Sequence, residues 1–562
     1  MKQKSNNDDL DEKLFKSDFK ENNFSGFSTS KENSRGKKSS RNSLKSVSQT
    51  KDSVGILGKG KFFLELSISL VLFLLSAVTF YAVWQSNFIP NKYLLLLAAA
   101  LLLFNIIIVF MLFGKGGNFK RYLALVLVLM AGGVMYFGMD ALHHVNSTID
   151  KISTPIIDKK IISLLVKEDD SINYVDDLGD TEIAYIDEQT LTQLSKILGK
   201  DYKTGEKYIA YPQLVEALLN GKERVVLFDE AFRAIINDLH PKFAGKTRIL
   251  TSNADEAYLK LISEEAQKVN KDDPVSSEKS PVNETILETS KPQVAELKSY
   301  EDIYVSGLEP FTFYVSGMDN YGGISSSGRS DVNIVGAVNP KTHRIVLIHV
   351  PRDSYLPIAG TGGHYDKLTH AGLLGINSSM ATVESLMNTD VSVYMKVNFN
   401  SVIDIVDTLG GITVNNPVTF SSRGHYFLSG NIRLNGEQAL WFSRERYSFA
   451  SGDLARGQNQ LRVIKGIVNE AIRPANLMNY GNLLNTLSGS FRTNLSNEAI
   501  SNLVNGQIDS GAPWSISSVS LSGSNRSGLY SHFMPGYNLY FLILDQGTVH
   551  NARAAIQDVL NG

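Results

Sequence analysis

Three apolar runs in the first quarter of the chain, Phe62–Trp84, Tyr93–Phe113 and Tyr122–Met139, constrain this protein more than any other feature. Each is near the length that carries a helix across a hydrocarbon layer, and three in succession are too many for a cleaved export signal. Backbone in such a layer must satisfy its own N–H and C=O groups, so each run reads as a transmembrane helix. Nine Lys or Arg stand against Glu32 and Asp52 within residues 31–61, and Lys115, Lys120 and Arg121 lie between the second and third runs. The positive-inside bias sets both flanks on the cytoplasmic side, so three crossings are expected to leave everything after about residue 140 outside the cell. Asn105 in the second run has no partner charges and is expected to make a helix-packing hydrogen bond rather than line a transport path.

The rest of the 562 residues is too long for one ordinary domain. Residues 1–61, rich in Ser, Asn, Lys and Asp, are expected to form a disordered basic cytoplasmic tail. The spans occupy 62–139, as 62–84, 93–113 and 122–139. Residues 145–260 mix short strands such as Arg224–Phe228 with helical patterns such as Glu230–Leu239, which gives a small extracellular α+β accessory domain. Residues 264–298 read as a linker, and a last domain fills 300–562. The chain has no cysteine, which excludes disulfides, thiolate metal sites and cysteine nucleophiles. A net charge of −2 supplies no global basic field, so nucleic acid is not an expected partner.

The chemistry concentrates in the last domain. Asp331–Val338 and Arg344–Val350 flank the turn residues Asn339-Pro340-Lys341-Thr342 and read as a β-hairpin. Asp331 then falls opposite Pro351, within a residue or two of register, and Arg329, Asp331, Arg352 and Asp353 meet at one end. Asp319 follows a buried strand, Phe311–Gly317. Asn398 and the pair Gly410-Gly411 bracket a scaffold helix. A helix entering at Asn435 delivers Arg444 and Arg446 at its end, and a second helix carries Arg456 and Gln460 on one face. Leu461, Ile464, Val468 and Ala471 supply that helix with an apolar stripe, so Arg456 and Gln460 are free to face a site. Five arginines with few carboxylates would be an awkward cluster to bury without an anion, and a diphosphate suits their fixed forks. Asp319 and Asp331 could hold a magnesium ion (Mg2+) whose other ligands are water and phosphate. Spacing alone equally allows arginines scattered over the surface.

Asp319-Asn320, Gly328-Arg329-Ser330-Asp331, Asn339-Pro340-Lys341, Pro351-Arg352-Asp353, Asp366-Lys367-Leu368-Thr369-His370-Ala371, Val397-Asn398-Phe399, Leu409-Gly410-Gly411, Asn435-Gly436-Glu437-Gln438-Ala439-Leu440 and Arg444-x-Arg446 occur in this order. Together they resemble the LytR-CpsA-Psr (LCP) family of cell-wall glycopolymer ligases, and the three-span anchor with its extra unit resembles the capsule-assembly branch. The resemblance implies an α/β fold: a mixed central β-sheet flanked by helices around an apolar tunnel for a polyprenyl chain, with the diphosphate at its mouth. It implies Mg2+-assisted transfer of a glycan phosphate from a polyprenyl diphosphate to a hydroxyl of peptidoglycan. Asp319 and Asp331 match metal positions. Arg329, Arg352, Arg444, Arg446, Arg456 and Gln460 match diphosphate positions, and Arg329, Asp331, Arg352, Arg444 and Arg446 are the groups expected to act in catalysis. Many members carry Arg where this chain has Asn459, so one cationic contact is expected to be lost. Lys367 and His370 are expected to shape their loop rather than react.

The expected protein is therefore a multi-pass cell-membrane enzyme with capsular or other wall polysaccharide as cargo and capsule polymerisation or export proteins as candidate partners. Two rivals are a regulator of capsule synthesis acting through its basic tail and a non-catalytic polyprenyl-phosphate binder. The tail has no helix-turn-helix pattern, and its charge is explained by orientation and lipid contact. A passive anion binder gains nothing from carboxylates beside the phosphate unless a metal sits between.

Overall fold

A computed structural model describes residues 47–86, 89–114, 117–153, 160–198, 202–254, 256, 259–260, 297–300, 303–318, 327–477 and 480–562, with side chains from residue 60 onward except at 91, 141, 144–146, 148–152 and 482. The tail before residue 47, most of the expected linker over 264–298, and Asp319 lie outside the described residues.

The three apolar runs form three long helices, α1 (Val47–Ser86), α2 (Asn91–Phe113) and α3 (Asn118–Ser153). Their stretches long and apolar enough to cross a membrane are Gly60–Ser86, Lys92–Phe113 and Asn118–Asp140. Two boundaries move. Residues 47–61 belong to α1 rather than to a disordered tail, because lengthening a helix that already exists costs no nucleation. Residues 145–153 belong to α3 rather than to the accessory domain; Ser153 Oγ, in its last turn, donates to the Leu495 carbonyl at 2.8 Å. Asn105 donates to Ser76 Oγ at 2.9 Å and to the Leu101 carbonyl at 2.8 Å, so its amide fastens α2 to α1.

The accessory unit opens with β1 (Ile162–Lys167), β2 (Glu182–Tyr185), α4 (Glu188–Leu198) and β3 (Lys203–Lys207). It continues with α5 (Tyr211–Leu219), β4 (Val225–Asp229), α6 (Arg233–Leu239) and β5 (Thr247–Ser252). Its sheet has the order β3-β2-β4-β1-β5, parallel where β2 meets β3 and β4, and antiparallel where β1 meets β4 and β5. Val225–Phe228 is apolar throughout because both faces of β4 are covered. Leu165, Val226 and Phe228 face α5 and α6, while Leu164, Val225 and Leu227 face α4.

The last domain is built on a six-stranded mixed sheet. Its centre is β6 (Phe311–Met318), β7 (Ser330–Asn339) and β8 (Arg344–His349), joined antiparallel. Val393–Val397 runs parallel to β6 and Ser515–Ser520 parallel to β8, with Phe491–Thr493 antiparallel at the far edge. Alternate residues serve opposite cores. Tyr314, Val335, Val346 and Ile348 pack with the helices Ile376–Met387 and Gln546–Asn561, whereas Val315, Ile334 and Leu347 pack against Leu461, Ile464 and Val468 of the helix Asp453–Ala471. The chain is thus α/β, with helices on both faces of a mixed sheet, three apolar helices at the N-terminal end and an accessory sheet between them.

Candidate active site

The β7–β8 register fixes the heart of the site. Ile334 pairs with His349 and Asn339 with Arg344, and Val350 N–H donates to the Asn333 carbonyl at 2.9 Å. Extended past the strand end, this register sets Asp331 opposite Arg352, one residue from the expected Pro351. Arg352 Nη1 reaches across and donates to Asp331 Oδ2 at 2.9 Å. Thr369 Oγ1 donates to the other oxygen, Oδ1, at 2.8 Å. Burial alone would raise the Asp331 pKa, but Arg352, Arg329 and Arg456 together hold this carboxyl well below the usual carboxylate range. The surrounding arginines favour its ionised form.

Lys367 Nζ is 2.7 Å from Asp353 Oδ1, and Arg352 Nε is 3.7 Å from Asp353 Oδ2. Lys367 therefore belongs to the charge cluster. His370 shapes its loop: its Nδ1 lies 2.7 Å from Oδ1 of wholly buried Asp366. Asp366 also accepts from Ser531 Oγ at 2.7 Å, Phe533 N–H at 2.8 Å and Lys367 N–H at 2.7 Å. That four-way anchorage fixes the loop presenting Lys367 and Thr369.

The other arginines arrive on capped helices. Asn435 accepts from Gln438 N–H at 2.9 Å while Gln438 Oε1 accepts from Asn435 N–H at 3.0 Å, a reciprocal cap that starts the helix Gly436–Arg444. At its end, the Arg444 guanidinium carbon stands 3.8 Å from the ring centre of Phe399 and 5.3 Å from that of Trp441. Arg444 thus stacks on aromatic rings. Arg446 donates to the Tyr447 hydroxyl at 2.5 Å, and its charge is felt at Arg456. Arg456 pairs with Asp453 one turn earlier in the helix Asp453–Ala471. Burial, with the charges of Arg352 and Arg446, lowers its pKa from the ordinary arginine value.

Gln460 is 7% exposed, and its Oε1, like Arg456 Nε and His349 Nδ1, is buried without a hydrogen-bond partner among the described residues. The neighbouring Asn459 is tied within the same helix, its Oδ1 accepting from Arg462 Nη1 at 2.8 Å. Arg329 Nη1 donates to Asp238 Oδ2 at 2.7 Å, a partner supplied by α6 of the accessory unit. Asp453 was within reach of sequence reasoning, three residues before Arg456 on one helix. Asp238, 91 residues from Arg329, was not.

Asp331, Arg329, Arg352 and Arg456 thus converge, Arg446 adjoins them, Arg444 stands on its aromatic rings, and Asp319 lies outside the described residues. No three His, Asp or Glu side chains gather as a ready metal cage among the described residues. An ionised, recessed Asp331 does suit a magnesium ion that takes one or two carboxylates and leaves its other positions to water and phosphate.

Known proteins similar to this chain share one family. The profile of the LytR_cpsA_psr family matches residues 262–545, half of the chain. Over 222 residues the chain is 35% identical to the polyisoprenyl-teichoic acid–peptidoglycan teichoic acid transferase TagU of Bacillus cereus, covering 39% of this chain and 72% of that one. The enzyme of the same name from Enterococcus faecalis is 37% identical over 206 residues, 36% of this chain and 68% of that one. The crystal structure of Bacillus subtilis TagU aligns at 30% identity and a TM-score of 0.36 over 45% of this chain and 97% of that one. The chain belongs to the LytR-CpsA-Psr family.

Proposed function

We propose that this chain is a membrane-anchored extracellular phosphotransferase that moves a glycan phosphate from a polyprenyl diphosphate carrier to a hydroxyl of peptidoglycan. The observation that carries this reading is the 2.9 Å pairing of Arg352 with the recessed Asp331, with Arg329 and Arg456 near enough to hold that carboxyl's pKa down. Arg329, Arg352, Arg456, Arg446 and Lys367 outnumber the carboxylates Asp331, Asp353, Asp453 and Asp238, which leaves a small surplus of positive charge. A bound diphosphate offsets it, and the departing lipid phosphate needs it as charge builds on the bridging oxygen. The names of the relatives, which act on polyisoprenyl-linked teichoic acid and peptidoglycan, support the donor and acceptor classes. The cargo is capsular or other wall polysaccharide by resemblance. The three apolar helices and their basic flanks support anchoring with the N-terminus in the cytoplasm, and export or polymerisation proteins are the proposed neighbours of the spans and the accessory unit.

In the reaction, the acceptor oxygen bonds to the glycan-bearing phosphorus, the bond from that phosphorus to the bridging oxygen breaks, and polyprenyl phosphate leaves. Arg352 and Arg456 orient the diphosphate, and Arg446 extends the cationic surface. Arg444 joins by leaving Phe399, or it braces the helix end from there. The acceptor proton goes to a carboxylate, and Asp331 is the poorer base because the arginines favour its ionised form. Asp353 is therefore the proposed base. Mg2+, held by Asp319 and Asp331, would neutralise diphosphate charge when bound. In purified full-length protein, Arg352→Ala should cut transfer from a lipid-linked glycan about 10²-fold or more with the fold intact. An unchanged rate sinks the assignment.

A further inference from the structure

Each arginine facing Asp331 has a carboxylate of its own, and the three carboxylates come from three places. Arg352 is tied to Asp331 across the hairpin, Arg456 to Asp453 within its helix, and Arg329 to Asp238 of the accessory unit. Three like charges around one carboxylate repel one another, so each needs a holder to keep its fork aimed inward. Asp238 sits in the last turn of α6, where a negative charge gains nothing from the helix itself. Its side chain is 64% exposed, while that of Arg329 is 17% exposed, so a surface carboxylate reaches down to a recessed guanidinium.

The accessory unit is seated on the last domain by contacts that do not involve this pair. Phe533, Met534 and Leu373 of the last domain are buried in one apolar cluster with Leu214, Val215, Phe232 and Ile236. The Phe232 and Phe533 rings lie 5.9 Å apart, and the Tyr537 hydroxyl donates to Glu216 Oε1 at 2.9 Å. Phe533 in turn presses edge-on against His370, 6.0 Å between ring centres, on the loop that carries Lys367 and Thr369. The accessory unit is therefore fixed to the rim of the charge cluster, and α6 stands where it can hold Arg329.

We infer that Asp238 is a positioning residue for the phosphotransferase site: the accessory unit forms one wall of the diphosphate mouth and, through Asp238, keeps Arg329 aimed at the substrate. This rests on the function proposed above. An ordinary exposed ion pair adds little to stability and nothing to rate, whereas a misplaced clamp group slows the chemical step.

The test uses full-length protein in detergent, a synthetic short-chain polyprenyl diphosphate bearing one sugar and a peptidoglycan fragment as acceptor, with release of polyprenyl monophosphate as the readout. Asp238→Asn should lower kcat about tenfold, leave KM within about twofold and leave the melting temperature unchanged. Asp238→Glu should recover kcat to within about threefold of the parent, because it keeps the charge. In an Arg329→Ala background, adding Asp238→Asn should have no further effect. An unchanged kcat in Asp238→Asn, a raised one, or a further loss on top of Arg329→Ala overturns the inference while leaving the enzyme reading intact. A parent protein that releases no polyprenyl monophosphate overturns both.

Discussion

Gly457 lies so close to the imidazole of His349 that a Cβ at this position would stand 2.1 Å from the ring carbon Cε1. Carbon atoms in contact settle at about 3.5–4.0 Å, so the missing side chain is what lets the helix Asp453–Ala471 approach the end of β8. His349 is buried at the strand end, paired with Ile334, and has nowhere to withdraw. The contact delivers Arg456, the residue before Gly457, to the carboxylate of Asp331.

Gly457→Ala sets two effects against each other. Alanine in a helix interior gains about 1 kcal/mol over glycine, but overpacking a buried contact costs about 1–3 kcal/mol. At 2.1 Å the clash wins. The variant should melt several degrees below the parent in detergent and lose more transfer activity than the melting shift explains, since the helix is pushed away with Arg456 on it. A melting temperature at or above the parent's would refute the close packing.

Much of this site was legible because it is local. The turn at Asn339–Thr342 and the alternation on either side gave the hairpin to within one residue, and that register alone pairs Arg352 with Asp331. The caps at Asn398 and Asn435 gave two helix starts, since side-chain oxygens must meet N–H groups that the first turn leaves unpaired. The partner of Lys367, Asp353, was not legible because it is set by how a loop folds back over the hairpin, which no periodicity encodes. Asp238 was invisible for the same reason on a larger scale: the docking of one unit on another depends on a patch, Phe533-Met534, that looks like any apolar pair in sequence. The boundary at residue 145 failed because polar residues after Met139 continue α3 instead of ending it.

His349 predicts a pH dependence of stability. Burial, and then the charge of Arg456, push its pKa down from 6.5 to about 3. The imidazole is neutral in the folded protein above that value, while the unfolded chain binds a proton below about pH 6.5. The unfolded state thus takes up more protons between these limits, and stability falls as pH drops from 6.5 towards 3. At pH 5 the contribution is about 2 kcal/mol relative to neutral pH. His532, whose pKa burial and His364 also lower, acts in the same direction, so the variant and not the raw acid slope is diagnostic. His349→Asn should lose less melting temperature between pH 7 and pH 5 than the parent; parallel losses in the two proteins would contradict a buried neutral imidazole.

Asp331 predicts how the site answers to metal. Its carboxylate is shared between Arg352 on Oδ2 and Thr369 on Oδ1, and it stays charged because burial is outweighed by the arginines around it. Its folded pKa is depressed, so the stability it contributes is present above the usual aspartate range and is lost only as pH falls through that range and below. Protonation of Asp331 therefore does not limit activity between pH 5 and 8. Asp331→Asn keeps the shape and removes the charge, which leaves Arg329, Arg352 and Arg456 facing one another. Release of polyprenyl monophosphate should then fall about 10²-fold, and the Mg2+ concentration giving half-maximal rate should rise, whereas lipid diphosphate should still bind to the arginines. Titrating Mg2+ into EDTA-treated parent and variant checks this directly. If the two proteins share one half-maximal Mg2+ concentration, Asp331 serves only to hold Arg352, and the metal, if used, is carried by other groups.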